Sequence, residues 1–334
     1  MAKILSAVYS IFIIYIACVY QSGHPIPAFE WTKVLFFPSV EWLKYLFFLF
    51  FLLSAHNYGA IALFIPLDSS GFNGWLETTL RLGAGFIIVA ALITAKLAAG
   101  LCSFNSFASV LLLPFLIQAA VRTCVKTTGA SSTALSALDG NFFTPSLFKK
   151  LAREISESVA RLAANDKTSL TIGAAAFSII AFGFVFSALP QTGWDALSYQ
   201  MEIPKQYLQR GRLFFPKEIY FWGYPQLLNS IYSLFIFFKF ETLCSSFHAI
   251  FNLLTVTLII NFPLEKAGLK EIGTRCRTAA ALLVAAHPQA LLMASYAFVD
   301  LGLMFYFTAA CLFLLRGDVY LTAVFLGGAL SAKY

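Results

Sequence analysis

The sequence predicts an all-α polytopic membrane protein of about nine transmembrane helices. Composition is the first reason. Of 334 residues, 59% are hydrophobic and only 12% charged, with a mean hydropathy of +0.78. A soluble domain of this size needs more charge to cover its surface. Run length is the second. Several apolar stretches approach the ~20 residues that cross about 30 Å of hydrocarbon as a helix. They do not alternate apolar with polar, which excludes a β-barrel, the other architecture whose backbone is satisfied in lipid.

The expected spans are 4–20, 44–66, 80–100, 104–122, 168–189, 243–262, 278–296, 298–315 and 319–334. The first follows Lys3 and is not trailed by a small-x-small cleavage site, so it reads as a retained helix or signal anchor. After Arg122 the chain turns polar. A stretch rich in Ser, Thr and Gly reads as a linker. Ser146–Ala164 then sets Leu147, Leu151, Ile155, Val159 and Leu162 at helical spacing, with Lys149, Lys150, Arg153 and Arg161 between them. That is a basic amphipathic helix suited to an anionic membrane surface. Three regions follow: a four-span block at 1–122, a cytoplasmic linker at 123–167, and a membrane module at 168–334. The last apolar run stops at Lys333-Tyr334, so the chain reads as truncated relative to a longer protein.

Basic loops set the orientation. Arg122–Lys167 carries seven Lys and Arg against four acids, and Pro263–Arg277 carries four against two. Both read as cytoplasmic, which also puts the N-terminus inside an inner (plasma) membrane. Two crossings then separate these loops. Tyr224–Phe238, short and bracketed by Pro225 and Lys239, is therefore expected to lie in the outer interface or re-enter without crossing. The net charge of +7 belongs to these loops, so membrane lipids are expected partners and nucleic acid is not. The six cysteines show no CxxC pairing and read as small residues of apolar runs.

By the same parity Asp195 and Asp300 meet one external face. Gln191–Tyr224 crowds acids, bases, aromatics and prolines beside a membrane span. Pro190 and Gly193 end the preceding helix, and Trp194 anchors at the interface. Leu197, Met201, Pro204 and Leu208 share one helical face against Glu202, Lys205, Gln206 and Gln209, an interfacial helix kinked or restarted at Pro204. Lys205, Arg210, Arg212 and Lys217 form a cationic cluster suited to a lipid-linked phosphate. Asp300 lies between two apolar runs with almost no loop, a depth at which a charge lines a cavity. His287 precedes Pro288 at an expected bend.

These residues resemble a family. The run W-D-A-L-S-Y-Q-x3-P-K-x-Y-x3-G at Trp194–Gly211 is similar to the first external loop of GT-C superfamily glycosyltransferases. Bacterial members often read WDxxxYHxxxP; Asp195, Tyr199 and Pro204 match, and Gln200 stands where many members have histidine. Tyr224-Pro225 resembles the YP element that opens the next interfacial helix. His287-Pro288 with Tyr296 and Asp300-Leu301 resembles the P…Y-x-D-L stretch, and Gly328 with Lys333-Tyr334 resembles G-x4-K-Y. The resemblance covers about 168–334. It implies transfer of a sugar from a polyprenyl phosphate to a lipid, glycan or protein acceptor at the cell envelope. It implies Asp195 as general base on the acceptor hydroxyl or as ligand to a divalent metal such as Mg or Mn, with Asp300 as the second catalytic carboxylate. Tyr199, Lys205, Arg210, Arg212, Lys217, Tyr224 and His287 are the expected substrate contacts. The alternatives are an ion-coupled transporter or flippase using the two acids, and a non-catalytic membrane fragment.

Overall fold

A computed structural model describes residues 38–63, 72–127, 145–264 and 272–333. Among these the chain is all-helical, with no strand. The α-helices are α1 (Pro38–Ala62), α2 (Gly74–Ala98), α3 (Phe104–Thr127), α4 (Pro145–Asn165), α5 (Lys167–Ser187), α6 (Glu202–Arg210), α7 (Leu227–Phe237), α8 (Leu243–Asn261), α9 (Thr274–Ala286), α10 (Pro288–Ala294), α11 (Asp300–Arg316) and α12 (Val319–Ala332).

Among the described residues five segments, in α1, α2, α3, α5 and α8, are long and apolar enough to cross a membrane. Nine were expected over the whole chain. The run at 4–20 lies outside the described residues. The expected helix at 278–296 is two pieces, α9 and α10, because Pro288 cannot donate to a preceding carbonyl and instead opens a new helix. The helices α11 and α12 form where expected but have only 17 and 14 residues.

Contacts sort the helix ends into two sets. At one end Asn73 donates to Asn261 at 2.6 Å, and Glu154 accepts from the Gly74 amide at 3.3 Å. There Arg275 meets Asp166 at 3.0 Å, and the Arg316 guanidinium stacks 4.6 Å from the Phe72 ring. At the other end the Leu213 amide donates to the Leu97 carbonyl at 3.0 Å, and Lys44 donates to Thr242 at 3.1 Å. Lys333 meets Asp300 there as well. The basic helix α4 and the two acids therefore occupy opposite ends of the bundle. In the basic helix α4, Ile155 and Val159 are exposed beside the still more exposed Arg153.

Asp166 caps α5. Its carboxylate accepts the Ser169 hydroxyl at 2.6 Å and the Ser169 amide at 3.1 Å. These bonds, and after them the Arg275 guanidinium, hold its pKa below the usual 3.8. A depressed folded-state pKa adds stability that is present above the unfolded value and lost as pH falls through the folded one. Asp166→Ala is therefore expected to melt below the wild type at pH 7. The gap should narrow as the pH drops beneath 3.8, and equal melting at pH 7 would show that the cap contributes nothing.

Inside lipid the helices gain little from hydrophobicity and rely on close fit. Phe86 and Phe247 meet edge to face at 4.9 Å, and Phe247 meets Phe251 at 5.2 Å. The pair α1 and α2 is closer still. A Cβ on Gly59 would collide with the Arg81 carbonyl, and one on Gly85 with the Ala55 carbonyl.

Helix α7, with 11 residues, folds back on a single segment. Near its start Asn229 bonds Gln200, and just past its end Glu241 bonds Lys205, so both ends touch the one segment 200–205. Residues 227–236 are buried throughout, so of the two placements expected for this stretch it embeds among helices rather than resting on a surface.

Candidate functional site

Two loops meet at the Asp300 end. The first leaves α5 and turns at Gly193. A Cβ there would sit 2.9 Å from the Tyr296 ring and 3.2 Å from that of Phe298. Only glycine lets the Asp195 loop pack so flat against the Tyr296–Phe298 turn. Residues 196–200 then form a single π-helical turn, a geometry often found at functional sites, and α6 restarts at Glu202. The restart is two residues earlier than expected, with Pro204 inside the first turn where its missing N–H costs nothing. Met201 and Pro204 are buried as the pattern predicts, whereas Leu197 is exposed. The helix closes at Gly211 in the left-handed region, at φ 68°.

Asp195 is held by its own turn: the Tyr199 hydroxyl donates to its Oδ2 at 3.0 Å. The Tyr199 phenol is pushed well above its ordinary pKa. Burial is the largest cause, then the bond to Asp195 and that residue's charge, with the charge of Asp300 adding. One phenol thus feels both carboxylates and remains a donor at any physiological pH. Gln200, at the position where the resembling family often has histidine, is buried and accepts from Asn229 Nδ2 at 2.6 Å.

The second loop, 295–299, is clamped from three sides. Gln191 Oε1 accepts from the Ala297 amide at 2.6 Å, while its Nε2 donates to Ser245 at 2.9 Å. The Tyr232 hydroxyl donates to the Phe298 carbonyl. His248 Nδ1 faces the Met293 and Tyr296 carbonyls at 3.0 and 2.9 Å, so it carries the proton. Its bare Nε2 accepts from the Leu301 amide at 2.9 Å. That amide is one of the donors a helix start leaves unsatisfied, and a histidine of another helix supplies the missing cap.

The clamp fixes Asp300 as the first residue of α11, where the helix dipole favours its charge. Lys333, just past α12, places its Nζ 2.6 Å from Asp300 Oδ1. Both side chains are about a quarter exposed, at 25% and 26%. A double-mutant cycle with Asp300→Asn and Lys333→Met is expected to show coupling of about 0.5–3 kcal/mol in unfolding. Additive single effects would mean the contact carries nothing.

Of the expected substrate contacts, Lys205 is engaged by Glu241 at 3.2 Å, and Arg210 lies 4.0 Å over the Phe214 ring. Arg212 and Lys217 are exposed. Tyr224 is exposed and touches the Phe221 ring. His287, at the α9–α10 break, lines the same groove as Asp300. That groove holds about 430 Å³ and has an apolar wall that includes Leu283, Val284, Met293 and Met304.

Among the described residues no three or more His, Cys, Asp or Glu side chains gather in one place. Asp195 accepts from Tyr199 and Asp300 holds Lys333, so each acid already has a protein partner.

Lys333, Gln191, Tyr232 and His248 were not among the expected site residues. For Lys333 the signal was its place in the G-x4-K-Y stretch; the other three lie in or beside apolar runs that look like plain scaffold. No family model, no curated protein and no solved structure matches this chain.

Proposed function

We propose that the chain is a membrane glycosyltransferase of the GT-C type. It moves a sugar from a polyprenyl phosphate to a hydroxyl-bearing acceptor on the non-cytoplasmic face. The observation that carries this is the meeting of separate stretches singled out by the resemblance. The Asp195 loop lies against the Tyr296–Phe298 turn through Gly193, and the lysine of the last stretch lies on Asp300.

The chemistry suits the residues. Asp195, oriented by Tyr199, takes the proton from the acceptor hydroxyl. The acceptor oxygen bonds to the anomeric carbon as the bond from that carbon to the phosphate oxygen breaks. Polyprenyl phosphate leaves with the electron pair. Lys333 and the exposed Arg212 and Lys217 offset the charge that grows on the departing phosphate. The apolar groove that begins at Asp300 is a seat for the isoprenoid chain, with His287 beside it.

The reading is tested with the purified chain in liposomes holding a radiolabelled sugar on polyprenyl phosphate. Label should move into an extractable lipid or glycan acceptor. No transfer, together with proton- or sodium-coupled uptake, would replace the enzyme by a transporter.

A further inference from the structure

Helices α2 and α3 frame a second groove, remote in sequence from the acids. It holds about 520 Å³ between α2 and α3. Its wall includes Leu92, Leu112, Leu113 and Leu116, and its polar rim is Lys96, Asn105 and Ser109. Leu112, Leu113 and Leu116 are 48%, 41% and 63% exposed on a helix long enough to span the membrane, so whatever lies along them is apolar. Lys96 stands in the last turn of α2, at the Asp300 end of the bundle. Its ammonium makes no hydrogen bond or ion pair with any described residue. One position on, the Leu97 carbonyl accepts the Leu213 amide, which brings the Arg212 segment to the same rim.

A cation with no counter-charge at headgroup level, above a greasy wall, complements one kind of molecule. We infer that this groove binds an anionic phospholipid of the surrounding membrane. Its phosphate rests on Lys96, and one acyl chain lies along Leu112, Leu113 and Leu116. A zwitterionic lipid carries its own ammonium and gains less. One basic residue at a membrane surface is worth about fivefold in affinity for an anionic lipid.

The test uses the full chain in non-ionic detergent, with equal amounts of phosphatidylglycerol and phosphatidylcholine of matched chains, read by native mass spectrometry. The wild type and Lys96→Arg should retain phosphatidylglycerol over phosphatidylcholine by about fivefold. Lys96→Gln should retain the two equally while melting like the wild type. Leu113→Trp fills the wall without touching the charge, so it should lose both lipids. Equal retention by the wild type overturns the proposal. So does a preference that survives in Lys96→Gln, or undiminished binding in Leu113→Trp.

Discussion

Asp195→Asn is expected to lower sugar transfer by about 10²–10⁴-fold, the range that a positioned general base contributes. The amide keeps the shape and can still accept from Tyr199, so insertion and melting should match the wild type. What it loses is the ability to take a proton. Tyr199→Phe is the companion variant. It leaves the base in place but removes the 3.0 Å bond that aims it, so its loss should be smaller and fall mainly on kcat. Transfer at the wild-type rate in Asp195→Asn would remove this residue from the chemistry. It would also leave the sugar-transfer reading without its base.

The second large effect lies in the scaffold. Gly85→Val is expected to destabilise the protein by at least about 3 kcal/mol, at or above the usual cost of overpacking. The obstacle is the Ala55 carbonyl, part of a helix backbone that no rotamer change can move aside. Helices α1 and α2 must separate, and the aromatic layer around Phe51 and Phe86 opens with them. Gly223→Val is the control, because a Cβ there meets nothing. Thermal melting in detergent reads both. A Gly85→Val protein that melts with the wild type would show the close approach to be dispensable.

The membrane helices were legible because apolar length is a one-dimensional property. The runs at 44–66, 80–100, 104–122, 168–189 and 243–262 all became helices, with limits up to about six residues from those expected. That Asp195 and Asp300 share one end of the bundle was legible too, since parity put them together, and the packing of Gly193 on Tyr296 agrees. The break at His287-Pro288 was noticed as a bend, but a hydropathy window averages across it and returns one span. The burial of α7 was harder to read, because fifteen apolar residues look alike on a surface and in a core.

The site was half legible. Carboxylates beside membranes stand out because they are rare there. Gln191, Tyr232 and His248 do not, since their work is done through backbone groups of a distant turn. Which carbonyl a buried histidine will reach depends on how helices pack, and packing is not written in the local order of residues. The pairing of Lys205 with Glu241 has the same origin. Both charges were visible, but only the hairpin formed by α6 and α7 makes them neighbours.

The ion pair between Asp300 and Lys333 also bears on biogenesis. A ribosome delivers these residues in sequence, and α11 emerges before α12 does. Until the later helix arrives, the nascent chain carries a carboxylate at the lipid boundary with no counter-charge from Lys333, a costly state. Completion of α12 relieves it. Insertion of that helix therefore completes the ion pair and marks the moment at which the half-built bundle no longer carries that charge uncovered.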